Sequence, residues 1–253
     1  VKRKNNIVKQ IKELPKVPAT EILRVEVGST LYGINIGSGD LDLMSIAIEP
    51  RAAITGLKQW DHWSWRTANK DERSEPDDID WTVYGLQKYL RLAIKGNPST
   101  LALLYAPENF REILHPSAGE LLMHREAIVS QDCIPRFLGY LNGQRQRALK
   151  GKGTSHGNRD GRREKWTSHM VRLGYQCLDM VNLGEMRLPM PEEQAETCKS
   201  IKCSEISINE ALKLSEELEN RIKAVKDPAL PEKPDIEFIE NWLHYTYINE
   251  YTK

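Results

Sequence analysis

Long hydrophobic runs are missing from this sequence. No stretch approaches the ~18 apolar residues that a membrane-spanning helix needs, and the opening Val1-Lys-Arg-Lys-Asn-Asn6 lacks the apolar core of a secretory signal. A cytoplasmic location is the expectation. Cysteine is scarce: four residues (Cys133, Cys177, Cys198 and Cys203), none in paired CxxC knuckles, with Cys198 and Cys203 five apart and no histidine beside them. That pattern argues against a disulfide framework and against structural zinc. It leaves reduced thiols, with Cys177 expected inside a helix core. Net charge is also absent, 36 Lys and Arg against 36 Asp and Glu, so the protein is no generic polyanion binder. There is no internal repeat, which removes solenoid architectures. His62, His115, His124, His156 and His244 form no readable cluster, and no Ser-His-Asp or Cys-His arrangement stands out.

What is present suits one large soluble domain or two small ones sharing an interface: 253 residues, 40% hydrophobic and 28% charged. Ile7 to Ile11 before Leu14-Pro15 predicts a short helix. Glu21 to Val27 has strand composition and stops at Gly28-Ser29, and Leu41 to Ile48 is a second strand closed by Glu49-Pro50. Trp60 to Trp65 alternates as a further strand. Asn69 to Asp77 is a charged loop, and Asp78 to Gly85 alternates Ile79, Trp81 and Val83 against Asp80, Thr82 and Tyr84. A helix follows over Leu86 to Ile94, ended by Gly96-Asn97-Pro98. From there the pattern is helical: Pro135 to Lys150, Trp166 to Asn182 with a Met170, Leu173, Cys177, Leu178, Val181 stripe, a helix ending before Pro228, and Asp235 to Tyr251. The expected class is therefore α+β, a small mixed sheet with flanking helices over residues 1–110 and a helical domain over 111–253.

The informative run is Gly28-Ser29-Thr-Leu-Tyr32-Gly33 followed by Gly37-Ser38-Gly39-Asp40-Leu-Asp42. A strand that delivers the chain into a Gly-Ser turn and then a helix start suits a phosphate, because glycine permits close approach and free N–H groups favour anions. Asp40 and Asp42, one residue apart on a strand, project to the same face. Adjacent carboxylates repel unless a cation neutralises them. Oxygen ligands at this spacing suit Mg²⁺, which bridges protein carboxylates and substrate phosphates, and two such ions serve phosphoryl transfer. Asp80, on the next acidic strand, is the third candidate, with Asp78 on the same face as its rival.

Gly28-Ser29 followed by Asp40-Leu-Asp42 resembles the signature of DNA polymerase β superfamily nucleotidyltransferases. The finer pattern is similar to the branch of predicted nucleotidyltransferases associated with RNA repair in bacteria and phages. That branch continues the turn with Tyr32-Gly33, runs the third acidic strand (Asp80 to Leu86) into a helix and Lys95-Gly96-Asn97-Pro98, and places Lys165 before His169-Met-Val-Arg172-Leu; Leu230 to Asp235 also fits. Two features depart from it. Gly39 stands where a serine usually precedes the first aspartate, with Ser38 one earlier, and Arg51 to Asp77, with Trp60, Trp63 and Trp65, matches no motif.

The resemblance implies a catalytic head holding two Mg²⁺ ions, with Mn²⁺ able to substitute, on Asp40, Asp42 and Asp80. Gly28, Ser29, Lys165 and Arg172 would contact nucleotide phosphates. The implied reaction moves a nucleoside monophosphate from an NTP, ATP included, to a hydroxyl acceptor, favouring an RNA 3′ end (tRNA among the candidates), and releases pyrophosphate. Transfer to a protein hydroxyl is the enzymatic alternative, and a catalytically silent RNA-binding module the non-enzymatic one. Eight basic residues between Arg145 and Lys165, against Asp160 and Glu164, would suit a triphosphate or an RNA backbone or stand as a solvated linker. His169 joins the Lys165–Arg172 face or is structural. Trp60, Trp63 and Trp65 either stack on bases or pack on the sheet.

Overall fold

The computed structural model describes residues 14–37, 39–68, 78–150 and 162–252. The helix expected at Ile7 to Ile11, the charged loop 69–77, Ser38 and the glycine-rich stretch 151–161 lie outside them. Five strands are present: β1 (Thr20–Glu26), β2 (Leu41–Ile48), β3 (His62–Arg66), β4 (Ile79–Gly85) and β5 (Arg111–Leu114). They form one sheet in the order β3-β4-β2-β1-β5, mixed because β2 and β4 run parallel while every other neighbour is antiparallel. The helices are α1 (Gly28–Leu31), α2 (Arg51–Thr55), α3 (Leu86–Ala93), α4 (Pro98–Tyr105), α5 (Pro116–Met123), α6 (Cys133–Lys150), α7 (Arg162–Leu183), α8 (Glu192–Lys202), α9 (Ile208–Ala224) and α10 (Ile236–Tyr251). Among the described residues no helix is long and apolar enough to cross a membrane.

Strand alternation sorts the sheet into two faces. Leu41, Leu43, Ala47, Ile79, Trp81 and Val83 share one, where Trp60, Trp63 and Trp65 pack against them. The tryptophans thus take the structural role, and Trp63 meets Trp81 edge-on with 5.2 Å between ring centroids. The other face of β2 carries Asp42, Met44, Ile46 and Ile48, and its apolar members join the main core beneath the helices. Helix α7 is central to that core, with Met170, Leu173, Cys177 and Val181 buried as their spacing predicts and α6, α8 and α9 packed around it.

The sheet takes edge strand β5 from residues 111–114, on the helical side of the 110/111 division, and one hydrophobic cluster runs through both halves. The C-terminal helix α10 also returns to the head: the Tyr247 hydroxyl donates to Glu49 Oε2 at 2.7 Å, while Glu49 Oε1 accepts from the Gln87 backbone N–H at 2.9 Å. The Leu230 to Asp235 motif works as a clasp. Gln131 bonds the Leu230 and Pro231 carbonyls, and the Asp235 carboxylate caps the start of α10. The Cys133, Cys177 and Cys198 thiols are buried and free, and Cys203 is free and exposed.

Candidate active site

Three chain segments meet at one end of the sheet. Strand β1 leaves the sheet there, with the Val27 N–H donating to the Asp42 carbonyl at 2.8 Å. Parallel strands β2 and β4 both start there, and their register places Asp42 directly beside Asp80. Asp40 lies just before β2 rather than within it. One ligand oxygen from each of Asp40, Asp42 and Asp80 falls within a sphere of mutual distances no greater than 4.8 Å. Asp78 points to a different task, accepting from the Thr67 hydroxyl at 2.7 Å.

The turn after β1 explains Gly28. Its φ of +69° is left-handed, and a Cβ there would stand 2.0 Å from Asp42 Oδ2. The space that the missing side chain provides is filled by the Asp42 carboxylate, so Gly28 serves a metal-ligand candidate directly rather than opening room for phosphate alone. Ser29 follows in α1, and its carbonyl accepts from the Ile34 N–H at 2.9 Å.

Charge is unbalanced within the triad. Asp42 is pushed up to about 6, first by burial, then by the neighbouring Asp40 and Asp80 charges, with Lys165 pulling the other way. A divalent cation would relieve that repulsion, and an all-oxygen donor set from three carboxylates fits Mg²⁺. Asp80 has an outer partner that the sequence did not reveal. Arg66 of β3 sits opposite it in the antiparallel ladder, with Nε 2.9 Å from Asp80 Oδ1.

Cations gather around residues 28–34. Lys165 acts on Asp42 from the first turns of α7. The Arg172 guanidinium lies 3.8 Å from the centre of the Tyr32 ring and donates to Gln176 Oε1 at 2.9 Å, nearly buried. Lys202, at the end of α8, donates to the Ile34 carbonyl at 3.0 Å. It is held below its usual value by burial and then by the Lys165 and Arg172 charges. His169 is pushed far below its usual range by burial, then by Arg172, Lys165 and Arg147, and is therefore a neutral imidazole among cations. A sequence motif carries Lys165 and Arg172, whereas Lys202, which reaches the same turn, lies in a helix whose composition carries no signal beyond ordinary amphipathicity. Of the basic stretch, Arg145 is absorbed structurally, pairing with Glu219 at 2.9 Å across α6 and α9.

The family whose sequence model matches most of this chain makes it a nucleotidyltransferase, and its carboxylates lie at adjacent strand starts beside the glycine-serine turn. More narrowly, the chain belongs to the RNA repair pathway DNA polymerase beta family (RlaP), whose sequence model matches residues 3–244. A curated relative, a 38.9 kDa protein from the nrdC-mobD intergenic region of Enterobacteria phage T4, is 30% identical over 86 residues. That match covers 34% of this chain and 26% of the phage protein, so the chain spans about a quarter of that relative's length. Among solved structures, the spectinomycin adenyltransferase from Enterococcus faecialis, determined with ATP and spectinomycin, aligns over 87% of this chain and 99% of its own at 15% identity and a TM-score of 0.45. A nucleotidyltransferase-like protein from Exiguobacterium sibiricum 255-15 aligns over 87% and 73%, at 11% identity and a TM-score of 0.31.

Proposed function

We propose that this nucleotidyltransferase moves a nucleoside monophosphate from an NTP to a hydroxyl at an RNA 3′ end, with tRNA among the acceptors, and releases pyrophosphate. The observation that carries the reading is the meeting of Asp40, Asp42 and Asp80 ligand oxygens within 4.8 Å of one another beside the Gly28 turn, with the Lys165 charge acting on Asp42. The RNA repair description of the family supports the acceptor.

In this reading Asp40, Asp42 and Asp80 hold two Mg²⁺ ions, which supply neutralisation of phosphate charge and acidify an attacking hydroxyl. Lys165, Arg172 and Lys202 hold the triphosphate oxygens, and Gly28 and Ser29 bring the turn against it. Arg172 is fixed for that task by the Tyr32 ring and Gln176. Asp80, half exposed and oriented by Arg66, accepts the acceptor's proton. His169, being neutral, sits among the cations without adding to their repulsion.

The test is incubation of the full chain with each of four labelled NTPs, Mg²⁺ and total RNA, beside an Asp40→Asn/Asp42→Asn control. Label on RNA that vanishes in the control is the expected result and identifies the nucleotide. Label confined to protein, or none on RNA with any nucleotide, would reject the RNA acceptor.

A further inference from the structure

Helix α6 carries a groove of about 320 Å³ lined by Arg136, Gly139, Tyr140, Gly143, Gln144 and Arg147. We propose that this groove binds a single-stranded segment of the RNA acceptor, stacking a base on Tyr140 and holding flanking phosphates with Arg136 and Arg147. The proposal rests on the RNA-acceptor reading above and adds a place for the strand.

Glycine weakens a helix interior, and packing gives no reason for these two. A Cβ at Gly139 or Gly143 would meet nothing within 4 Å. Their effect is to keep the floor of the groove low along one stripe of the helix. Beside them lies Gln144, 6% exposed, whose side-chain carbonyl Oε1 has no hydrogen-bond partner among the described residues. Its stem therefore closes the groove floor beside the two glycines, and the strand is held by the ring and the flanking arginines.

Tyr140 is 41% exposed yet held in position, because Asn97 Nδ2 donates to its hydroxyl at 2.9 Å. This gives the Lys95-Gly96-Asn97-Pro98 motif a purpose. Gly96, at φ +72°, lets its backbone press on Cys133 at the start of α6, where a Cβ would stand 2.2 Å from the Cys133 Cα. Asn97 caps α4 and orients Tyr140. An exposed ring held this way is a ready stacking surface.

Charge and location fit the same occupant. Arg136 and Arg147 are exposed and make no ion pair among the described residues, whereas Arg145 between them is neutralised by Glu219. Eleven residues of helix separate the two by ~16 Å, a span suited to a strand rather than to one phosphate group. The groove lies on the helix that packs against α7, which carries Lys165 and Arg172, and Arg147 is among the charges that lower His169. Tyr140 in turn acts on Tyr84, which shares its face of β4 with Asp80.

The experiment measures binding of a fluorescein-labelled single-stranded oligoribonucleotide to the full chain by anisotropy across a salt series, with affinity for a fluorescent ATP analogue measured in parallel. Tyr140→Ala should weaken oligonucleotide binding about ten-fold, while Tyr140→Phe, which keeps the ring but loses the Asn97 bond, should weaken it less. Arg136→Ala should lower the magnitude of the salt slope by about one, and Gly143→Leu should block the groove. All four changes are at exposed positions, so unchanged melting curves are expected, and ATP-analogue affinity should not move. Oligonucleotide binding that survives these changes, that is absent in the wild type, or that falls only in step with ATP-analogue affinity would overturn the proposal. Tight binding that depends on the groove, without transfer to RNA, would sink the transferase reading and leave the groove. Transfer with variant binding unimpaired would do the reverse.

Discussion

At position 28 one methyl group decides whether Asp42 keeps its place. Gly28→Ala adds a left-handed strain of about 1–2 kcal/mol and drives a Cβ into Asp42 Oδ2. It should lower stability by at least that amount and abolish nucleotidyl transfer. Gly37 has a similar φ of +74° but open space around it, so Gly37→Ala should cost about 1 kcal/mol and retain activity. Urea unfolding beside a transfer assay separates the two. Asp42 itself is costly to the metal-free fold. Its raised value means no penalty in acid, where folded and unfolded states are both protonated, and a penalty that grows as pH rises to about 6 and persists above. At neutral pH that amounts to about 2–3 kcal/mol. Without metal, Asp42→Asn should therefore melt at higher temperature than the wild type, while added Mg²⁺ should raise the melting temperature of the wild type alone. A variant no more stable than the wild type in EDTA would contradict this account of Asp42.

At the scale of the element, α7 combines a core stripe with a polar end. Met170, Leu173, Cys177 and Val181 anchor it, which fixes Lys165, His169 and Arg172 toward the head. Burying His169 among cations has a pH signature. The folded protein stays neutral at this site while the unfolded chain takes up a proton below its ordinary value of about 6.5, so stability falls as pH drops. Between pH 7 and 5.5 the loss from this residue should be about 1 kcal/mol. His169→Gln should lack it, and comparing the two proteins cancels the opposite contribution of Asp42. Equal pH slopes would show that His169 titrates normally. Elements with clear periodicity were legible from sequence: β2, β4, α3, α7 and α9 fall where alternation or helical spacing puts them. Helix α4 was not, because Pro98, Thr100 and Leu101 to Leu104 are all buried, and a helix buried all round shows no stripe. Strand β5, four residues long and half exposed, is too short for alternation to register.

At the scale of the whole molecule, described elements on both sides of residue 110 share one sheet and one core. Strand β5 completes the sheet beside β1, α10 returns to Glu49, and the main core draws on strands and on helices from α3 to α10. A chain ended at residue 110 would leave β1 as an unpaired edge and expose the apolar face that α6 and α7 cover. It should aggregate or remain molten, binding a hydrophobic dye and lacking near-UV dichroism. A cooperatively folding fragment would show that the head stands alone.

The sequence by itself determined the local chemistry: a Gly-Ser turn after a strand, Asp40 and Asp42 around a strand start, and a motif carrying Lys165 and Arg172. These are short-range patterns, set by backbone conformation over a few residues. Tertiary structure decided which distant groups join them. The parallel register of β2 and β4 brings Asp80 rather than Asp78 to Asp42, the β3 ladder sets Arg66 against Asp80, and the end of α8 carries Lys202 to the turn. Those meetings depend on strand order and helix packing, which fix contacts between residues far apart in the chain and leave no periodic mark on either partner.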